Sequence, residues 1–393
     1  MTAVELGDLG LDAGGHLLVS HAVRQHQPGE TLTIVGTHPA LEVHLQAWCR
    51  EHGCQLVRTT DGIADIVLGP TVNAERSGAE RAGGATPDGL VDRAPSAWGL
   101  AARGALVEPG APPSDFDLDL RDEVWADAAP RLYAQAAAAQ WDPEAAVDWE
   151  ASFVLPTEVE DAVVQLMTYL VENEQAALTV PARFLGRIHP HYREVVQFLA
   201  IQAADEARHL EVFARRGTLT GRPLGVSGAG GRASLQSLLS EPDFTMAHFL
   251  LSILGEGTFL NLLAFIEHVA PDPVTRQIAG LALSDERRHV AFGMAHLLHR
   301  VSVDHDLRPR LAAAIRRRHD MLADTAGLNA DVYDALVILA AGTWTPAAIA
   351  RGTAAVEQLQ RDMDVGRQRR LRRLGFSIEE AIELSDLHTR NFM

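Results

Sequence analysis

The chain has 393 residues, 47% of them hydrophobic, and a formal charge of −18; that length supports a large core or two domains, and that charge argues against nucleic acid or an anionic membrane as the main partner. All 34 basic residues are arginine, so Schiff-base catalysis and a Walker-type P-loop, which both need a lysine, are excluded. Two cysteines, Cys49 and Cys54, are too few for a disulfide framework and fit a reducing cytoplasm.

The opening "MTAVELGDLGLDAGG" has no basic-then-apolar signal pattern, which agrees with a cytoplasmic location. Residues 1–70 predict a small α/β domain: "GHLLVSHAV" as a helix, "ETLTIVG" as a strand, "PALEVHLQAWCREHG" as a helix, and "CQLVRTT" and "DIVLG" as strands. A Gly/Ala/Pro-rich stretch at 71–115 is expected to be a linker or surface loop. From 116 to 393 the pattern is helical, with helices expected at 120–140, 157–179, 191–215, 244–269, 272–300, 306–327, 330–341 and 345–374. Pro181 and Pro190 should break the chain after the second of these, and Pro271 and Pro273 after the fourth. The segment 249–266 is nearly long and apolar enough to span a membrane, but it contains Glu256 and Asn261 and is expected to be buried in a bundle. The longest non-helical interval, 216–243, then falls where some four-helix bundles have one long crossover.

The stretch "DEARHLEVF" (205–213) places Asp205, Glu206, Arg208 and His209 among apolar residues of a core-facing helix, and "DERRHVAFG" (285–293) repeats the order with Asp285, Glu286, Arg288 and His289. Residues three apart share a helix face, so each Glu–His pair aims a carboxylate and an imidazole at one point, a donor set for hard-to-borderline metals. The preceding helices should each add one Glu. Glu256 lies on an apolar face; Glu174 is chosen over Glu172, whose helical neighbours Gln165, Thr168 and Gln175 make a wetter face. The separations agree: Glu174 and Glu256 precede Glu206 and Glu286 by 32 and 30 residues. Four carboxylates and two neutral imidazoles would be untenable in a core unless two divalent cations cancelled their charge. Asp205 and Asp285 are expected to accept the outer N–H of a ligating imidazole, that of the opposite helix pair. Arg208 and Arg288 are assigned to structural ion pairs.

At these residues the chain resembles the ferritin-like di-iron carboxylate superfamily over about 157–300. "DERRHVAFG" looks like the fourth core helix of ribonucleotide reductase small subunits and R2-like ligand-binding oxidases, and "GEGTFLNLLAF" is similar to their third. The resemblance implies a ferritin-like four-helix di-metal bundle with extra helices, with Glu174, Glu206, His209, Glu256, Glu286 and His289 as metal ligands. Departures are visible. Phe213 stands where the reductases carry a radical tyrosine, Leu260 where hydrocarbon hydroxylases carry a threonine, and Ala282 where aminoarene N-oxygenases carry an extra histidine; His296 is read as an ordinary histidine. Residues 27–57 resemble small sulfur-carrier (TusA-like) proteins, but "AGGH" (13–16) replaces their Cys-Pro-x-Pro box, so a scaffold, lid or docking role is expected.

The expected function is a non-haem di-iron oxygenase or oxidase that uses dioxygen to hydroxylate, N-oxygenate or desaturate a small organic substrate. Two Fe ions are expected, with Mn/Fe or Mn/Mn served by the same ligands. An external reductase or ferredoxin would supply electrons, and a homodimer is the base-rate expectation. The alternative is an iron-handling or metal-stabilised binding protein. "GRQRRLRR" (366–373) reads as a solvated helix end stopped by Gly375.

Overall fold

The computed structural model describes residues 3–72, 78–84, 88–322 and 330–389. Its contacts divide the chain into two compact units, Met1–Gly89 with Ala101–Pro113, and Leu90–Leu100 with Ser114–Met393.

The first unit runs β1 (Val4–Gly7), α1 (Gly15–Val23), β2 (Thr31–Gly36), α2 (Leu41–Glu51), β3 (Gln55–Thr60) and β4 (Ile63–Val67). Its sheet order is β1-β2-β4-β3, with β1 parallel to β2 and the other pairs antiparallel. Alternation places Leu32, Ile34, Ala64 and Ile66 in the core, while Val19, Leu45 and Trp48 come from the helices. The β3–β4 hairpin turns at Asp61-Gly62, both with positive φ, the signature of a two-residue turn matched to strand twist. Strand β1 was not expected: four residues are too few to display a period of two. The stretch 71–115 is shared between the units, and β5 (Glu80–Arg81) pairs with β6 (Leu106–Val107) within the first. Residues 73–77 and 85–87 of it lie outside the described residues.

The second unit begins with short helices α3 (Arg121–Val124), α4 (Ala129–Ala138) and α5 (Pro143–Ala146), then α6 (Thr157–Leu185), α7 (Arg193–Thr218), α8 (Ala229–Leu239) and α9 (Phe244–His248). A π-helical segment, Phe249–Gly255, leads into α10 (Glu256–Val269), followed by α11 (Pro273–Val303), α12 (Leu307–Leu322), α13 (Ala330–Ala341), α14 (Pro346–Arg373) and α15 (Ile378–Thr389). Helix α6 packs on α7, α10 on α11, and α7 on α11. Their facing residues form one core that includes Leu166, Leu170, Val212, Phe213, Leu263 and Ile278. The apolar run Phe244–Val269 is long enough to cross a membrane, yet most of it is buried inside the protein.

Several expectations need correction. Helix α6 continues through Pro181 to Leu185, because buried Val180 and Phe184 hold its last turn despite the missing donor. The expected helix 120–140 is interrupted at Trp125, whose backbone is extended. The crossover contains α8, where packing on α6 and α12 outweighs the low helix propensity of its glycines. Residues 323–327 of the expected helix 306–327 lie outside the described residues. Helix α15 was not expected.

One ion cluster staples three helices. Arg216 of α7 is fully buried and donates to both oxygens of Glu160 on α6, at 2.8 and 3.0 Å, and to Asp272 at 2.8 Å and Thr275 at 2.9 Å at the start of α11.

Candidate metal centre

The four helices α6, α7, α10 and α11 bring Glu174, Glu206, His209, Glu256, Glu286 and His289 together, each at most 4% exposed. Ligand-capable atoms of Glu174, Glu206, His209 and Glu286 all lie within 4.8 Å of one another, as do those of Glu206, Glu256, Glu286 and His289. Glu206 and Glu286 therefore belong to both groups, while Glu174 with His209 and Glu256 with His289 complete one each. Nδ1 of His209 is 3.0 Å from Glu206 and 3.5 Å from Glu174, and Nδ1 of His289 is 3.0 Å from Glu206 and 3.5 Å from Glu286. Glu172, the rejected candidate, is only half-buried.

The outer imidazole nitrogens point the other way and cross between helix pairs. Nε2 of His209 on α7 meets Asp285 Oδ2 on α11 at 3.1 Å, and Nε2 of His289 on α11 meets Asp205 Oδ2 on α7 at 3.2 Å. A carboxylate only accepts, so each Nε2 carries a proton, and Nδ1, turned to the carboxylate cluster, is the nitrogen that would give up its own proton to a metal. The aspartates are themselves held. Arg208 and Arg288 each donate to the aspartate three residues earlier, Asp205 and Asp285. Gln140 reaches Asp205 at 2.9 Å, and Trp141 Nε1 reaches Asp285 at 2.8 Å. Gln140 and Trp141 were not singled out from the sequence, and nothing local to them signals a contact 65 or 144 residues away. Gln202, also not anticipated, donates to Glu256 at 2.9 Å.

The buried donor atoms are incompletely satisfied. Among the described residues, Glu174 Oε1, Glu256 Oε2 and Glu286 Oε2 have no hydrogen-bond partner, and Glu206 Oε1 and His289 Nδ1, though 3.0 Å apart, do not meet in hydrogen-bond geometry. An orphaned buried polar atom costs about 1–3 kcal/mol, and five around one centre are the arrangement expected of atoms reserved for cations. Titration points the same way. Desolvation, then repulsion from Glu206, pushes the Glu174 carboxyl well up; desolvation, then repulsion from Glu286, does so for Glu256. Burial opposes charge on both histidines, but the surrounding carboxylates outweigh it and raise both well above the usual value. Burial works against Asp285 too, yet His209 draws it down to about 2. Protons thus take the place of cations, and the oxygen-rich, imidazole-containing donor set fits two divalent metals.

Helix α10 is positioned by an irregularity invisible in the sequence. The π-helical segment ends at Gly255, immediately before Glu256, so counting back by threes and fours from Glu256 to Ile253 and Phe249 does not follow an α-helical face. Arg370 of α14 donates to the Ile253 carbonyl within that segment at 2.9 Å. Gly257 makes room for it, since a Cβ there would lie 2.5 Å from Arg370 Nε. Arg367 donates to Thr258 Oγ1 at 3.2 Å. Both arginines are buried, which corrects the reading of 366–373 as a wholly solvated run. Gly375 does follow the helix in a left-handed conformation, φ +91°.

A pocket of about 30 Å³ adjoins the cluster, lined by Glu174, Glu256 and Glu286 together with Leu238, Leu250 and Phe259. That is room for about two waters. Phe213 is buried, its ring 6.4 Å from that of His209. His296 stands outside both carboxylate groups; it is fully buried, 3.1 Å from Thr245 Oγ1 and 3.0 Å from the Trp125 carbonyl. Cys49 is buried and Cys54 half-buried; both are free thiols, and burial pushes that of Cys49 up to about 12.

No protein-family model and no curated protein matches the chain. Among solved structures it is similar to variants of an R2-like ligand-binding oxidase. A glycine-to-leucine variant with an aerobically reconstituted Fe/Fe cofactor is 19% identical, with TM-score 0.51 over 62% of this chain and 92% of that one. A valine-to-alanine variant with an anaerobically reconstituted Mn/Fe cofactor is also 19% identical, with TM-score 0.50 over 62% of this chain and 93% of that one. At that identity the likeness is one of fold: the protein is mainly α, a ferritin-like bundle with extra helices, accompanied by a small α/β unit.

Proposed function

We propose that the helical unit is a di-metal oxidase or oxygenase that uses dioxygen to hydroxylate, N-oxygenate or desaturate a small organic substrate. The observation that carries this reading is the pair of overlapping buried donor groups, in which one oxygen of each glutamate lacks a hydrogen-bond partner among the described residues. Glu174, Glu206, His209 and Glu286 would hold one metal and Glu206, Glu256, Glu286 and His289 the other. Two Fe ions are the first choice and Mn/Fe is the alternative; the two similar oxidase variants carry Fe/Fe and Mn/Fe cofactors. Such a pair, when bound, would supply Lewis acidity and electrons for the reduction of dioxygen.

The chain's own residues prepare that chemistry. Asp205 and Asp285 hold a proton on each Nε2, so that Nδ1 is the nitrogen that would meet a metal, and Arg208, Arg288, Gln140 and Trp141 keep those aspartates in place. The leucine-lined pocket keeps bulk water from the centre, which strengthens every charge interaction inside it. A reductase or ferredoxin-like partner would return electrons between turnovers. The α/β unit, with Ala13, Gly14, Gly15 and His16 where a sulfur carrier needs a thiol, would serve as a scaffold or docking element, and the protein would work in the cytoplasm.

The test is anaerobic loading with ferrous iron, removal of unbound metal, elemental analysis, and then oxygen exposure followed by electrode and visible absorption. Two metals per chain are expected, with oxygen consumed and the absorption decay accelerated by a member of a panel of amines, acids and aromatics. Protein that acquires no metal defeats the proposal, and uptake of many irons per chain, indifferent to every compound, replaces it with iron handling.

A further inference from the structure

The pocket beside the metal centre is lined by a cation that forms no ion pair among the described residues. Arg318 of α12 lines it and is 5% exposed. Its Nη2 donates to Ser234 Oγ at 2.6 Å, while Nη1 has no partner. No carboxylate pairs with it among the described residues, in contrast to Arg216, which is equally buried but held by Glu160 and Asp272. Burial lowers Arg318 only to about 10, so it stays protonated at neutral pH. Removing a charge from water without compensation costs several kcal/mol, so an unpaired guanidinium facing a pocket is a group awaiting an anion.

The surroundings narrow the anion's chemistry. Glu174, Glu256 and Glu286 also line the pocket, and the metals of the preceding section would neutralise them. The remaining lining is apolar, including Leu235, Leu238, Leu250, Leu251 and Phe259. One cation balances one negative charge, which favours a monocarboxylate over a phosphate dianion, and a planar carboxylate suits the guanidinium donors. The volume of about 30 Å³, room for about two waters, holds little more than a carboxylate head group, so the attached chain must be short. We propose that Arg318 binds the carboxylate of the substrate, which is then a small monocarboxylic acid whose apolar body lies against the leucines beside the metal centre. The word substrate rests on the function proposed above, and so does the neutralisation of the three glutamates; the unpaired Nη1 of Arg318 rests on neither.

The test is calorimetric titration of the full chain, metal-free and metal-loaded, with propionate, the neutral isostere propionamide, and chloride. Wild type should bind propionate at least tenfold more tightly than either control. Arg318→Met should lose at least tenfold for propionate, leave propionamide unchanged, and fold at least as stably as wild type, since no ion pair is broken. Equal binding of propionate and propionamide by wild type overturns the proposal without any variant. So does equal binding of chloride, or a metal-loaded Arg318→Met that keeps wild-type propionate affinity, the result expected if the acid ligates the metals directly. Elemental analysis of the same samples separates the two ideas. Propionate selectivity in a chain that takes up no metal removes the oxidase reading alone, and full metal content without selectivity removes this one alone.

Discussion

Substituting Asp285 by Asn probes how the centre is tuned while changing almost no volume. Asp285 Oδ2 accepts from His209 Nε2 at 3.1 Å and from Trp141 Nε1 at 2.8 Å, and its Oδ1 accepts from Arg288. An amide offers one oxygen in place of two. If that oxygen faces His209 and Trp141, the amide N–H₂ is turned on Arg288; if it faces Arg288, the N–H₂ is turned on the other two donors. Arginine and tryptophan cannot become acceptors there, but histidine can, by moving its proton to Nδ1. That proton would then occupy the lone pair aimed at Glu174 and Glu206. Losing such a partner weakens metal affinity by about 10–100-fold, or about 1.4–2.8 kcal/mol. The loss should fall on one metal of two, because His209 belongs to only one donor group. Competition against graded chelators, read by elemental analysis with far-UV circular dichroism as a folding control, resolves the two affinities. Asp205→Asn should mirror the effect at the other site through His289. Unchanged affinities in Asp285→Asn, or equal weakening at both sites, would refute the tautomer argument.

Metal binding should release protons, because Glu174, Glu256, His209 and His289 all hold them above their ordinary pKa values in the metal-free chain. Apparent affinity should therefore climb as pH rises past 6.5. In chelated protein, the stability contributed by the charged histidines should be lost as pH rises through their elevated pKa, so chelated protein should melt lower at pH 9 than at pH 7; pH-independent affinity would contradict this. His248 has no partner on either ring nitrogen, lies among Phe184, Phe244 and Phe292, and is pushed down to about 3 by burial. The unfolded chain takes up that proton near 6.5 and the folded chain does not, so its stability contribution falls as pH drops from there towards 3. His248→Phe should gain on wild type by up to about 1.4 kcal/mol per pH unit below 6.5, checked by urea melts at pH 7 and 5; a gap that does not widen at pH 5 counts against it. Arg216→Met should cost about 3–5 kcal/mol, since Glu160 keeps only Thr220 Oγ1 at 3.0 Å whereas Asp272 keeps Thr275. Adding Glu160→Gln should recover part of the loss, and a single-variant cost below about 1 kcal/mol would mean the cluster behaves like a surface pair.

The burial of the four glutamates and two histidines was legible because their placement on helix faces is a local matter. Helix periodicity puts Glu206 with His209 and Glu286 with His289, and apolar neighbours at helical spacing separate buried Glu174 from half-buried Glu172. The first unit's helices and three of its strands were legible for the same reason, while β1 was too short to show its period. Pro181 misled because the penalty for proline in a helix is local, and the burial of Val180 and Phe184 that offsets it is not.

Everything that joins distant segments was settled by packing. The sequence alone carried which glutamates and histidines face the core, the pairing of Glu206 with His209 and of Glu286 with His289, and the requirement that so many buried acids be neutralised, since these follow from residue type and the 3.6-residue turn. Only the tertiary structure decided that Gln140 and Trp141 brace the aspartates, that a π-helical segment anchored by Arg370 sets Glu256, and that Arg318 lines the pocket with no ion pair among the described residues. A helix seen alone shows which face is polar but not what covers it, and burial by another helix is what turns an arginine from a solvated charge into a binding group.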